Sequence, residues 1–163
     1  LDWFITNVWP SLSKAQPDLK FHIAGRNTPP DLINLHVKNI VIHGEVPNAV
    51  DFINAHNVMI VPLFSGSGMR VKILEGMALK KTIVTTTLGM EGIDATHGKE
   101  LLVADQPDTF KEAVILALQD QHLRESIGQS AQEFVSQYYD HTTIASKLIE
   151  KYSQLLTQPY QKH

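Results

Sequence analysis

Between Gly66 and Glu75 the chain reads GSGMRVKILE, two glycines, two serines with Ser65, two bases and one acid within a few residues. Those types suit the holding of an anion. Gly66 and Gly68 let the main chain take positive φ and let a ligand approach it closely, with Ser67 between them. The apolar periodicity that follows predicts a helix from near Met69, with Ile73, Leu74, Met77 and Ala78 as its buried side and Val71 beside it. Its first turn would point unpaired N–H groups and the positive end of the helix dipole over the Gly-Ser turn, where a phosphate is favoured. Arg70 and Lys72 lie at that same end, where cations oppose the dipole unless an anion is present. Their placement therefore argues for an anionic ligand.

Two common phosphate loops do not fit. A Walker loop needs a second glycine where Val71 stands, and the dinucleotide fingerprint has Gly66 and Gly68 but again Val71 in place of its third glycine.

The stretch PLFSGSGMRVKILEGMALKKTIVTTTLGMEGI resembles the donor-binding segment of retaining GT-B glycosyltransferases, the group 1 or family 4-like enzymes that include sucrose synthases, mannosyltransferases and lipopolysaccharide glycosyltransferases. In that family a strand ends in a proline, a Gly-containing loop leads into a Leu-Glu-Ala type helix, and a further strand leads to a Gly- and Glu-containing turn. The resemblance implies that Glu75 holds the ribose hydroxyls of a nucleotide sugar and that Gly66, Ser67, Gly68 and Met69 face the diphosphate and donor sugar. Arg70, Lys72 and Leu74 in the helix, and Gly44 and Glu91 at neighbouring strand ends, complete the implied contact set. Ser67 stands where the family pattern has its first acid, although some branches carry a Gly-Ser-Gly version followed by Arg and Lys. The agreement is strongest from about Phe21 to about Ala104.

The family likeness further implies a nucleotide-diphosphate sugar as donor substrate, no metal and no separate cofactor, and transfer in a cleft shared with an acceptor-binding N-terminal domain. The chain would then be one domain, residues 1–163, lacking its first strand and that whole N-terminal domain. A peripheral membrane contact would fall to the missing domain. The fragment alone would bind donor weakly and transfer nothing.

Composition agrees with a single folded domain. At 163 residues, 43% hydrophobic and 19% charged, the chain has material for one core. A net charge of −3 argues against broad electrostatic binding of nucleic acid, which needs a basic face. Without cysteine it has neither disulfides nor thiolate metal sites. No apolar run is long enough to span a bilayer. We expect a cytoplasmic protein.

The elements that must position the turn follow from period and punctuation. Leu1, Phe4, Ile5, Val8 and Leu12 make a helical stripe bent or interrupted by Pro10. That abrupt start suggests that the chain begins in the middle of a fold. Strands are expected at 21–24, 40–42, 58–61, 82–87 and 101–104. The run 58–61, stopped by Pro62, suits a strand buried on both faces. Helices are expected at 47–56, with Pro47 in the first turn and Val50, Phe52, Ile53 and Ala55 inward, then at 107–118, 123–138 and 142–156, with at most a short one at 31–36. Residues 88–98 read as a loop. Alternating strands and helices imply a Rossmann-like, doubly wound parallel sheet with flanking helices, the strand ends after Gly25, Gly44, Pro62 and Thr87 gathering on one ligand edge.

Each signal has a plainer reading. Glu75 could be a solvated helix acid paired with Lys72. Gly66 and Gly68 could form an ordinary tight turn, Arg70 and Lys72 plain surface charge, and Glu91 a loop acid. Arg26 reads as solvent-facing. The eight histidines show no ligand spacing. Thr85 to Thr87 read as strand residues, and Trp3 and Trp9 as core or as surface that a missing part would cover. Two alternatives to a glycosyltransferase domain remain: a non-catalytic binding or assembly module with a decayed ligand loop, favoured by Ser67, and an unrelated doubly wound enzyme such as a sugar-nucleotide epimerase, which needs a fuller glycine fingerprint.

Overall fold

The computed structural model describes residues 1–66 and 70–140. Two helices open the chain, α1 (Asp2–Asn7) and α2 (Trp9–Ala15), and the break between them falls at Val8. Pro10 sits in the first turn of α2, where its missing N–H costs nothing. Both helices press one stripe inward: Phe4, Val8, Trp9 and Leu12 are fully buried. Trp9 is core, and its indole N–H donates to the Lys38 carbonyl at 3.3 Å.

Among the described residues, five parallel strands follow in two sheets. β1 (Phe21–Ala24) pairs with β2 (Ile40–Gly44), with α3 (Pro30–Ile33) between them. β3 (Val58–Val61) pairs with β4 (Thr82–Thr85), which pairs in turn with the two-residue β5 (Leu102–Val103). The doubly wound parallel reading holds, but among the described residues the strands form two separate sheets, in which β1 pairs only with β2 and β3 only with β4. That is why β3 is half-buried rather than buried on both faces, while every residue of the central β4 is buried.

The remaining elements are α4 (Ala49–Asn54), α5 (Val71–Ala78), α6 (Thr87–Met90), α7 (Pro107–Gln119) and α8 (Gln121–Tyr138). Several boundaries differ from expectation, each for a local reason. Pro47 lies outside α4, because the Asn48 side chain accepts from the N–H groups of Val50 and Asp51 and starts the helix there. Val50 and Ala55 are exposed, leaving Phe52 and Ile53 as the packed pair. Strand β4 stops at Thr85, because Thr86 caps α6 by accepting from the Gly89 N–H. A helical turn thus replaces the start of the expected loop. The strand expected at 101–104 is reduced to β5, with Leu101 forming an isolated bridge to His97. The helix expected at 142–156 lies outside the described residues.

Two apolar clusters hold the layers. One joins α1 and α2 to Val84, Leu102, Phe110 and Val114; the other sits under α5 and α8, around Ile73, Met77, Ile83 and Leu101. Gly76 and Gly128 permit the second. A Cβ on Gly76 would lie 2.7 Å from Met59 Sδ, and one on Gly128 would lie 2.2 Å from the Lys80 carbonyl oxygen. These contacts fix α5 against the sheet.

Candidate functional site

The loop after β3 carries the site. Gly66 takes φ +112°, a region that residues with a Cβ rarely adopt. Ser67, Gly68 and Met69 lie outside the described residues. Arg70 then folds back, its Nη2 donating to the Gly66 carbonyl at 2.9 Å, while its own carbonyl accepts the first bond of α5 from Ile73 N–H at 2.8 Å. The helix therefore starts at Val71, two residues later than expected from Met69. Its N-cap residue, Arg70, makes no side-chain capping bond. Its N-terminal N–H groups face the loop, as an anion site requires.

One turn into α5, Lys72 Nζ lies 2.7 Å from Glu75 Oε2, and both side chains are well exposed. The buried side is narrower than predicted: Ile73, Gly76 and Met77 are inside, Leu74 is half-buried, and Val71 and Ala78 are exposed. Close packing at Gly76 rotates the helix so that this glycine, rather than Ala78, meets the sheet.

Because all strands run parallel, their carboxyl ends lie on one edge of each sheet. Gly25 N–H donates to the Gly44 carbonyl at 2.8 Å, Gly44 has φ +66°, and Arg26 Nε meets Glu45 Oε1 at 2.9 Å. Gly25, Arg26 and Glu45 line the same cleft as Lys72. So the turn after β2 and the start of α5 share one opening. Gly44 stands directly before it.

Glu91 closes α6 as its C-terminal cap and is exposed, with Gly92 next to it at φ +81°. Threonine and aspartate side chains hold this turn, a role not assigned to them from the sequence, where Thr85 to Thr87 read as strand residues. Thr85 Oγ1 donates to the Val61 carbonyl at 2.8 Å and Thr86 Oγ1 to that of Leu63, tying the turn to the end of β3. Asp105 accepts from the Thr87 N–H at 2.8 Å and from the Thr87 hydroxyl at 2.6 Å. Gly89 fits because a Cβ there would lie 2.1 Å from Thr85 Oγ1. Tyr139 Oη donates to the Gly92 carbonyl at 3.3 Å. Only the Thr run and the glycine spacing hinted at this frame.

Three histidines without ligand spacing meet in space. His22 Nδ1 and His43 Nε2 are 2.8 Å apart, and the His22 and His56 rings are 4.5 Å apart between centroids. Burial, then the neighbouring His56, His43 and Lys20, lower the His22 pKa below its ordinary value. Among the described residues no group of three His, Asp or Glu side chains is placed to hold a metal ion. No described helix is long and apolar enough to cross a membrane.

Comparison with known proteins gives a consistent picture. Residues 1–120 match the family model described as Glycosyl transferases group 1. The chain is 26% identical over 163 residues to an uncharacterized 44.6 kDa protein in the cps region of Klebsiella pneumoniae, covering 93% of this chain and 41% of that protein. Its fold resembles a sucrose-phosphate synthase of Thermosynechococcus elongatus (TM-score 0.74, 16% identity, 90% of this chain and 41% of that one). It also resembles Anabaena Alr3699/HepE, solved in complex with UDP and glucose (TM-score 0.73, 18% identity, 90% and 43%). The chain thus spans about two fifths of each of these proteins.

Proposed function

Because the chain belongs to the group 1 glycosyl transferases, we propose that it is the nucleotide-sugar-binding domain of a retaining transferase that moves a sugar from a nucleotide-diphosphate donor to a glycan, lipid or small-molecule acceptor. The observation that carries this reading is Gly66, at φ +112°, held by the Arg70 side chain beside the N-terminus of α5, with Lys72 and Glu75 in that helix's first turns. The diphosphate would sit over that N-terminus, Arg70 and Lys72 neutralising charge as it departs, in place of a metal. Glu75 would leave Lys72 and accept the ribose hydroxyls, freeing the Lys72 ammonium for phosphate. Gly66, Ser67, Gly68 and Met69 would face the diphosphate and sugar, Leu74 would flank the nucleoside, and Gly44 and the Glu91 turn would border the sugar.

The UDP found with the Anabaena protein supports a nucleoside diphosphate ligand. The Klebsiella relative, whose name places it in a cps region, supports a setting in polysaccharide biosynthesis. Acceptor contacts would come from a domain outside these residues, so the 163 residues alone would bind donor and transfer nothing. Calorimetric titration with UDP, GDP and ADP tests the reading. Saturable binding of one nucleotide, weakened in Glu75→Ala, is the expected result; absence of binding to the full-length protein would overturn it. Ser67, at the position of the family's first acid, favours the second reading of a non-catalytic module, for which that negative result is expected.

A further inference from the structure

Lys20, His56 and Lys81 stand just ahead of β1, β3 and β4, at the amino ends of the strands, whereas Arg26, Gly66 and Lys72 follow the carboxyl ends of β1 and β3. The first three meet round His22, the second residue of β1. The His22 ring centroid lies 4.5 Å from that of His56, its Nδ1 lies 2.8 Å from His43 Nε2, and Lys20 is close enough to act on its charge. Lys81 reaches the same place from the start of β4. Its ammonium donates to the carbonyls of His56 at 3.1 Å and Asn54 at 3.3 Å, which leaves one of the three donors of a lysine over.

These groups are gathered without a counter-charge. His22 feels His56, His43 and Lys20, all of them bases, on top of the burial that is the largest cause of its lowered pKa. Burial likewise lowers the Lys81 pKa, and no carboxylate offsets it. Among the described residues that line the cleft shared by Lys20, His22, His56 and Lys81, Glu45 is the only carboxylate, and Arg26 holds it at 2.9 Å. Bases crowded in this way repel one another's protons, and an anion placed among them reverses that effect.

The hydrogen bonds of the histidines tie their donor capacity to their charge. The Phe52 carbonyl only accepts, so His56 Nδ1, 2.6 Å from it, carries a proton, and Nε2 gains one only when the ring is charged. The facing nitrogens of His22 and His43 share one proton. The neutral pair therefore offers one outer N–H, and the protonated pair offers two.

We propose that His22, His43 and His56, with Lys20 and Lys81, form a second anion site, which takes a small doubly charged oxyanion: free sulfate or phosphate, or the head of a phosphate monoester. The anion and the proton bind it together, because each ring becomes a fuller donor as it charges. The site shares no residue with the Gly66 to Glu75 stretch and needs no nucleotide, so its test can fail independently of the donor-site reading.

Sulfate titration of the full-length protein, followed through the histidine ring protons by NMR, decides it. Sulfate keeps both its charges across the pH window, so a pH dependence belongs to the protein. The His22, His43 and His56 signals should shift saturably, with affinity rising about tenfold for each pH unit lowered between about 7.5 and 6.5, one proton being taken up with each anion. His22→Asn should flatten that dependence. Lys20 is exposed, and Lys20→Gln should weaken sulfate about two- to fivefold at unchanged Tm. Lys72→Met should leave the histidine shifts as they are. Methyl phosphate titrated in parallel separates the two sources: tighter binding than sulfate supports the site as one for a monoester, and equal binding supports it as one for the free ion. Histidine signals that do not move with sulfate, or that move as far with chloride at matched ionic strength, overturn the proposal. So does an affinity that is the same at both ends of the pH window.

Discussion

Lys72 Nζ and Glu75 Oε2 form a 2.7 Å ion pair across one turn of α5, with their side chains 70% and 43% exposed. An exposed pair of this kind contributes only ~0.3–0.5 kcal/mol to a helix. Glu75→Gln should therefore leave the Tm nearly unchanged. If Glu75 holds the ribose, the same change should weaken nucleotide affinity by about tenfold or more, since losing a charged hydrogen-bond acceptor costs about 1.5–3 kcal/mol. Melting curves and calorimetry on one preparation separate the two effects.

Lys72→Met should weaken diphosphate binding more at low salt than at high, because the interaction of an exposed ammonium is screened. The corresponding nucleoside, which has no phosphate, should bind Lys72→Met and wild type alike. Titrations at two ionic strengths check this.

Gly66→Ala places a Cβ at φ +112°, although the space there is adequate, with Arg70 Nη1 3.6 Å away. The cost is conformational and should be about 1–2 kcal/mol, read as a lower denaturant midpoint. Gly44→Ala, at φ +66° with open space around it, should cost less, since left-handed helical backbone is milder strain.

Asp105→Ala deprives Thr87 of both its partners and should destabilise by about 0.5–2 kcal/mol, the usual worth of a capping interaction. Faster amide exchange confined to residues 86–92 would locate the effect. Unchanged exchange there would show that Thr85 and Thr86 hold the turn without Asp105.

The His22 ring, packed on His43 and His56 with Phe52 beside them and Lys20 and Lys81 nearby, makes stability pH-dependent. Burial is the largest cause of its lowered pKa, followed by His56, His43 and Lys20. On unfolding, His22 takes up a proton near its ordinary pKa of 6.5, while the folded protein keeps it neutral to lower pH. The unfolded state thus binds more protons below about pH 6.5, and stability should fall with acidification through that window and level off below the folded pKa. His22→Asn should flatten the dependence of Tm on pH between about 7 and 5.

Local order was legible because it is set locally. The β-branched runs at 58–61 and 82–85, and the short run Phe21–Ala24, are strands as expected, and Pro62 ends β3. Pro107 opens α7 as its residue type indicated, whereas α8 begins at Gln121, two residues before the expected start, because the Asp120 side chain accepts from the Leu123 N–H and caps it there. The Gly-Ser turn before α5 was likewise visible, as was its family resemblance. Boundaries shifted where a side chain chose them: Asn48 rather than Pro47 for α4, and Thr86 for α6.

What the sequence by itself determined was the parallel α/β class, the family and the turn of Gly66 leading to Glu75, because glycine conformation, proline stops and apolar period act over a few neighbouring residues. Only the tertiary structure decided that Asp105 holds Thr87, that His22 meets His43 and His56, that Gly76 rotates α5, and that β1 and β3 line a common cleft. Parallel strands are joined by long crossovers, so their register, and with it every contact between them, is settled by packing across the sheet and leaves no mark in local periodicity.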